Sequence, residues 1–332
     1  MFKNKKIILP VIIAVTGMMY FLFLYAPMRR SCSFYSMGGI LTEIQGYATD
    51  KKTMDKACSR IQIFFEDIEN EISNYRDNSF ISGINRQENK REVKLPVHTY
   101  KMVKESIRVS ENTLGYYDIT VLPILDVWKN AQKQNRLPSS DTINRALEKV
   151  SYKKIALNDD THTVFFKTGA MELDLGAIAK GYMGDESQKI MEKLGIKRGL
   201  INCGGGVVVF DRNEIPKPFV INIYNPDKRS YDQKSHTGIG QNTISLTNGS
   251  VQTSGNYNRF YTIDGKKYSH IVDPHTGLPS GKCHSITVKS TVEDRSGAIA
   301  DAYGTGFCAM IAAGKNPEDL HLSEVEIIQL KR

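Results

Sequence analysis

The chain is expected to fold as an α+β protein, with packed helices and mixed sheets rather than a doubly wound parallel sheet. Segments of helical and strand period intermingle without strict alternation, and three adjacent glycines interrupt an apolar strand region. With 332 residues, 40% hydrophobic and 24% charged, the chain can bury a sizeable core.

The N-terminus reads Lys3-Asn4-Lys5-Lys6, then an apolar run from Ile7 to about Pro27, then Arg29-Arg30. A bilayer span needs roughly 20 apolar residues, so this run is either a signal anchor or a long signal peptide. Charged side chains in Met28-Arg29-Arg30-Ser31, just before Cys32, disfavour signal cleavage and lipoprotein processing, which favours a retained transmembrane helix. Lys3, Lys5 and Lys6 favour a cytoplasmic N-terminus. The expectation is a membrane segment over 1–30 and a globular domain over 36–332, on the extracytoplasmic (periplasmic) side of the inner, cytoplasmic membrane.

The first expected strand is Ile40–Ala48. Apolar residues Met54, Ala57, Ile61, Phe64, Phe65, Ile68 and Ile72 then recur at helical spacing, so Lys52–Asn74 is expected to be an amphipathic helix. Further helices are expected over about Pro96–Leu114 and Asp141–Lys149. Two short strands, Ile155–Leu157 and Thr163–Phe166, are turned by Asn158-Asp159-Asp160. Ala177–Leu194 reads as a helix ended by Gly195. The apolar stretch Gly199–Phe210 is a strand region broken by Gly204-Gly205-Gly206. Later strands are expected near Phe219–Tyr224, Thr243–Leu246, Arg259–Ile263 and Ser285–Val288, before a last helix, Gly297–Ala313, rich in small residues.

The net charge of +8 is dispersed among acids, with no basic stripe interleaved with aromatics, so no nucleic-acid partner is expected. The five cysteines (Cys32, Cys58, Cys203, Cys283, Cys308) have no metal-ligand spacing and an odd count. Neither a disulfide scaffold nor a cysteine zinc site is expected.

Four clusters carry candidate chemistry. In Glu172-Leu173-Asp174-Leu175-Gly176-Ala177-Ile178-Ala179-Lys180, a strand delivers an acid into a glycine turn and a helix N-terminus, which suits an anionic ligand. The bland alternative is an ordinary strand-to-helix turn with a surface lysine. The Gly204-Gly205-Gly206 triplet allows a flat ring or a phosphate close to the backbone, or is simply a tight bend. Thr253-Ser254-Gly255-Asn256 with Ser269-His270-Ile271-Val272-Asp273-Pro274-His275 is denser in hydroxyls, imidazole and carboxylate than a plain hairpin requires. Asp301 and Thr305, four apart on a helix, can present a carboxylate and a hydroxyl to one hard cation, or form a surface pair.

The ordered set DLGAIAKGY, INCGGG, TSGNYNRF with YSHIVDPHTGLP, and ADAYGTG resembles the ApbE-type FAD:protein FMN transferase family. SMGG from Ser36 and GYYDITVLPI from Gly115 also fit its pattern, so the resemblance covers the chain after the N-terminal segment. It implies a T-fold-like catalytic domain that takes FAD as substrate, holds Mg²⁺, and transfers FMN to a Thr or Ser hydroxyl of an acceptor flavoprotein, releasing AMP. Hydrolysis of FAD to FMN and AMP is the alternative within the family, and passive FAD binding is the alternative outside enzymes. The implied acceptors belong to membrane electron-transfer complexes.

By the same resemblance, Met37, Tyr75, Tyr116, Tyr117, Asp118, Asp174, Lys180 and Ile271 contact FAD. Ala177, through its carbonyl, with Asp301 and Thr305, holds the metal. His270 or Asp273 is placed to take the acceptor's proton, and Asp301 serves catalysis through the metal. The family often carries a hydroxyl or an acid just before Thr305, where this chain has Gly304, an oxygen that water would then supply.

Overall fold

The computed structural model describes residues 27–223, 243–256 and 259–331. The expected membrane segment lies, apart from its last residues, outside the described part. Among the described residues, no helix is long and apolar enough to cross a membrane.

The chain forms β1 (Met28–Ser36), β2 (Ile40–Ala48), α1 (Lys51–Ile72), α2 (Phe80–Asn85), β3 (Glu92–Lys94), α3 (Val97–Asn112), α4 (Leu122–Gln134) and α5 (Ser140–Leu147). It continues with β4 (Ile155–Asn158), β5 (Thr163–Phe166), α6 (Gly176–Lys193), β6 (Arg198–Cys203), β7 (Gly206–Asp211), β8 (Phe219–Asn222) and β9 (Thr243–Leu246). The last elements are β10 (Gly249–Gly255), β11 (Phe260–Ile263), β12 (Lys266–Ser269), β13 (Ser285–Ser290), α7 (Ser296–Ala312) and β14 (Glu326–Lys331).

Seven strands form one sheet in the order β1-β2-β6-β7-β10-β13-β14, and every pairing in it is antiparallel. The smaller sheets are antiparallel too, so the α+β class holds while the expected mixing of strand directions does not. The alternation in β2 buries Thr42, Ile44, Gly46 and Ala48. Ile44 belongs to a core that it shares with Met54 and Phe65 of α1, Ile178 of α6 and Tyr303 of α7. β7 is buried along its whole length because its other face packs Val207 and Val209 against Ile221 and Leu246 of the β8–β9 hairpin. A separate apolar cluster joins Trp128 of α4 and Ile143 of α5 to Ile263 and Val272.

Register decides where the polar motifs gather. Thr42 pairs with Cys203, Val251 with Val207, and Gly255 with Ser285. The β1–β2 turn, the Gly204-Gly205 turn and the end of β10 therefore emerge at one end of the sheet.

Helices α6 and α7 meet backbone to backbone. A Cβ on Gly181 would lie 1.9 Å from the Gly297 carbonyl oxygen, and one on Gly297 would lie 2.3 Å from that of Gly181. Buried Asp185 secures the crossing by accepting the Gly297 and Ala298 amides, each at 2.8 Å, which satisfies two first-turn donors of α7. Burial pushes its carboxyl up to about 7, against the opposing effect of those two amides.

Some expectations change. The stretch before α6 is irregular rather than a strand, and the Asp174 amide donates to Ile119 O at 2.7 Å instead of joining a ladder. β1 and α4 have no counterpart among the expected elements: Arg29-Arg30 read as a membrane flank, and Pro123 sits in the first turn of α4, where proline is tolerated. Four cysteines pair, Cys32 with Cys58 and Cys283 with Cys308, leaving Cys203 buried and free. The expectation of no disulfide framework fails because pairing depends on Cα separations, here 6.5 and 5.3 Å, which spacing along the chain does not reveal.

Gly181→Ala forces a methyl group into the Gly297 carbonyl. It should cost about 1–3 kcal/mol, as overpacked sites do; an unchanged melting temperature would show that the crossing is not tightly packed.

Candidate active site

Lys180 lies one turn beyond Ala177 on α6, and the Gly181–Gly297 crossing brings it onto α7. Its Nζ sits 3.0 and 3.1 Å from the two carboxylate oxygens of Asp301, and the Gly181 amide donates to Asp301 Oδ2 at 3.2 Å. Asp301 is buried, so these donors offset the loss of water around its charge. One turn on, Thr305 Oγ1 lies 3.4 Å from the Asp301 carbonyl oxygen and 3.5 Å from Ser254 Oγ on β10. Asp301 and Thr305 share α7 one turn apart, as their spacing implies, while Lys180 reaches Asp301 from α6 through the helix crossing, which no spacing along the chain indicates. Ser254 joins them from a distant strand, which spacing could not foretell.

His270 follows β12. Its Nδ1 lies 2.8 Å from the Arg259 carbonyl oxygen. A carbonyl can only accept, so Nδ1 carries the proton and Nε2 is left as the basic nitrogen. Desolvation, aided by the nearby cations Arg259 and Lys180, pushes this imidazole down to about 4 and keeps it neutral at ordinary pH. The charge of Arg259 also acts on Asp174, whose carboxyl is raised chiefly by burial. Lys180, His270, Arg259 and Asp174 therefore share one electrostatic environment.

Asp273 is committed elsewhere. Its carboxylate accepts from the His275 amide at 2.9 Å, His275 Nδ1 at 3.1 Å and Thr276 Oγ1 at 3.0 Å. These bonds outweigh burial and hold it below the usual carboxylate range. It shapes the turn over 273–277, in which the Gly277 amide returns to the Asp273 carbonyl oxygen at 2.8 Å.

The other candidates line the surroundings. Met37 sits in the β1–β2 turn with φ of 48°, a left-handed conformation uncommon for a side chain, and its amide donates to Glu69 Oε2 at 3.2 Å. Arg76 holds that same carboxylate oxygen at 3.0 Å. The neighbouring Tyr75 is 83% exposed, a large aromatic free for stacking, with Lys129 Nζ 5.6 Å from its ring centre. The Tyr116 ring lies 4.5 Å from that of His275. Ile271 is buried, and its carbonyl oxygen accepts the Ser280 amide at 2.8 Å.

Three candidates have structural partners. Tyr117 is buried with its hydroxyl 3.1 Å from Ser106 Oγ. Asp118 accepts from Thr120 N and Oγ1 and from Tyr152 N at 2.8, 2.6 and 2.7 Å, fixing the loop on which Tyr116 sits. Asp174 Oδ1 takes the Gly176 amide at 2.7 Å, so this first-turn donor of α6 serves the protein's own carboxylate. The side chains of Asn74 and Asn85 both donate to the Leu173 carbonyl oxygen, at 3.0 and 2.9 Å, and hold the approach to Asp174. Nothing in their sequence context marks those two asparagines.

Among the described residues, no three His, Cys, Asp or Glu side chains converge on a possible metal position. What the site offers is one buried carboxylate, Asp301, ion-paired to Lys180, and two hydroxyls, those of Thr305 and Ser254, with Ala177 in the first turn of α6. A hard, sparse oxygen set of this kind fits Mg²⁺, which keeps several waters or substrate oxygens, and does not fit a metal needing an all-protein cage.

The model of the ApbE family matches residues 39–317. An FAD:protein FMN transferase of Vibrio cholerae serotype O1 is 29% identical over 265 residues, 79% of this chain and 74% of that protein. One of Escherichia coli K12 is 26% identical over 79% of this chain and 73% of its own length. The crystal structure of the ApbE protein from Thermotoga maritima MSB8 superposes with a TM-score of 0.76 at 26% identity, covering 92% of this chain and 97% of that one. The flavin transferase ApbE from Vibrio cholerae shares the fold with a TM-score of 0.65 at 23% identity, over 86% and 90% of the two chains. The α+β architecture, the ordered motifs and the family match agree, and the chain belongs to the ApbE family.

Proposed function

We propose that this protein is a Mg²⁺-dependent transferase that moves FMN from FAD to a Thr or Ser hydroxyl of an acceptor flavoprotein and releases AMP. The observation that carries this reading is the convergence of Lys180, buried Asp301 and Thr305 beside a neutral His270, in a member of a family whose relatives are FAD:protein FMN transferases.

Asp301, Thr305 and the Ala177 carbonyl would hold the metal. When bound, Mg²⁺ neutralises pyrophosphate charge and stabilises the AMP leaving group. Lys180, ion-paired to Asp301, would complement a phosphate oxygen. His270 Nε2 takes the proton of the acceptor hydroxyl as its oxygen bonds to the FMN phosphorus and the bond from that phosphorus to the AMP phosphate oxygen breaks. His270 is favoured over Asp273 because Asp273 already accepts three hydrogen bonds. Tyr75 offers a stacking face to an aromatic ring of FAD, and the space beside Gly38, Gly39 and Gly205, where a side chain would meet nothing within 4 Å, leaves room for a flat group.

The two disulfides support an extracytoplasmic location, since such bonds persist in oxidising compartments. The apolar run from Ile7 to about Pro27 would anchor the domain to the inner membrane, where acceptors in membrane electron-transfer complexes would be met.

The direct test incubates the protein with FAD, Mg²⁺ and candidate extracytoplasmic flavoproteins, then reads denaturing gels for flavin fluorescence alongside AMP release. A labelled acceptor band that disappears with chelator and in Asp301→Ala is expected. AMP and free FMN without a band would make the protein an FAD pyrophosphatase, and intact bound FAD would make it a carrier. For the base, kcat/KM should stay flat from pH 7 down to about 5, because the acid limb follows an imidazole lowered to about 4. His270→Ala should lower kcat by about 10²-fold or more with little change in FAD affinity; a limb near the ordinary imidazole value would count against His270. Protein denatured without reductant should expose one alkylatable thiol, Cys203, and five would remove the support for an oxidising compartment.

A further inference from the structure

Ser254 has no assigned part in the reading above, yet its hydroxyl reaches the metal-binding face of α7 from another element. It lies on β10, and its Oγ is 3.5 Å from Thr305 Oγ1. The residue before Thr305 is Gly304, and a Cβ built there would come within 2.8 Å of the same Ser254 Oγ and 3.4 Å of its Cβ. The serine hydroxyl therefore fills the space that a side chain at position 304 would occupy. The glycine and the serine form a matched pair.

From this geometry we infer that Ser254 is a fourth oxygen donor of the cation site, standing in for the side chain that Gly304 lacks. Two ligands placed side by side on Mg²⁺, each about 2.1 Å from the ion, lie about 3 Å apart in octahedral geometry. The observed hydroxyl separation of 3.5 Å is wider by roughly half an ångström, a gap that a shared ion would close. A hydroxyl is a neutral, hard donor, so Ser254 adds a ligand without adding charge, and Asp301 remains the anionic member. The arrangement also ties the sheet to the helix: a cation sharing Thr305 and Ser254 would fasten α7 to β10. This inference rests on the Mg²⁺ reading of Asp301 and Thr305.

The test measures cation binding rather than turnover. Mn²⁺ is titrated into the protein with excess FAD, and the free ion is followed by electron paramagnetic resonance. Wild type should bind Mn²⁺ and Asp301→Ala should not. Ser254→Ala should weaken binding by at least about 10-fold, since removing even an outer partner of a ligand costs that much. The double variant Ser254→Ala with Gly304→Ser moves the hydroxyl from strand to helix and should recover affinity, whereas Gly304→Ser alone should not strengthen binding because two side chains compete for one space. Unchanged affinity in Ser254→Ala, with binding still lost in Asp301→Ala, would overturn the role of Ser254 and leave the metal reading intact. No recovery in the double variant would reduce Ser254 to a packing residue and also overturn it. Absence of Mn²⁺ binding by wild type would remove the metal reading and this inference together.

Discussion

The site depends on one contact, the passage of α6 over α7 at Gly181 and Gly297. Neither position tolerates a Cβ, and each carbonyl oxygen lies where the other residue's side chain would begin. At such a distance the amides of one helix reach the side chains of the next. The Gly181 amide meets Asp301, while Asp185, one turn further along α6, takes the first amides of α7. Lys180 and Asp301 are neighbours because the backbones are.

Charge in this region is placed sparingly. Asp301 is buried with a lysine and an amide, Asp118 with three donors, and Asp185 with two. Each carboxylate that has lost water has gained protein donors, as the cost of an unpaired buried charge requires. They differ in what those donors belong to. Backbone amides hold Asp185 and most of Asp118, whereas the Lys180 ammonium, on a side chain, supplies two of the three contacts of Asp301.

Much of the fold was legible where apolar spacing is unambiguous. The long amphipathic α1 with Met54, Ile61, Phe65, Ile68 and Ile72 inside appears as its period implies. Gly204 and Gly205 of the glycine triplet turn β6 into β7 as a hairpin, and Gly206 opens β7. The site was legible as motifs, because Asp301 and Thr305 share a helix and Lys180 follows a glycine turn. What escaped was long-range. Strand β1 gains its identity from pairing with β2, Ser254 gains meaning from facing Gly304, and the cysteines pair through proximity. Asp273, one of two proton acceptors that the sequence offers, and Tyr117, an FAD contact that the family resemblance implies, are tied by their hydrogen bonds to a turn and to α3, partners the sequence does not reveal.

The helix crossing has a bearing on how the chain folds. Hairpins β1–β2 and β6–β7 close over few residues, but α6 and α7 are separated in sequence by eight of the described strands, from the central and flanking sheets. Contacts between distant segments bear the larger loop-closure entropy and form after local ones. Because Lys180 and Asp301 meet only once those strands are arranged, the candidate site is expected to be among the last parts of the molecule to assemble. Partly folded chains would then carry most of the secondary structure and none of the chemistry.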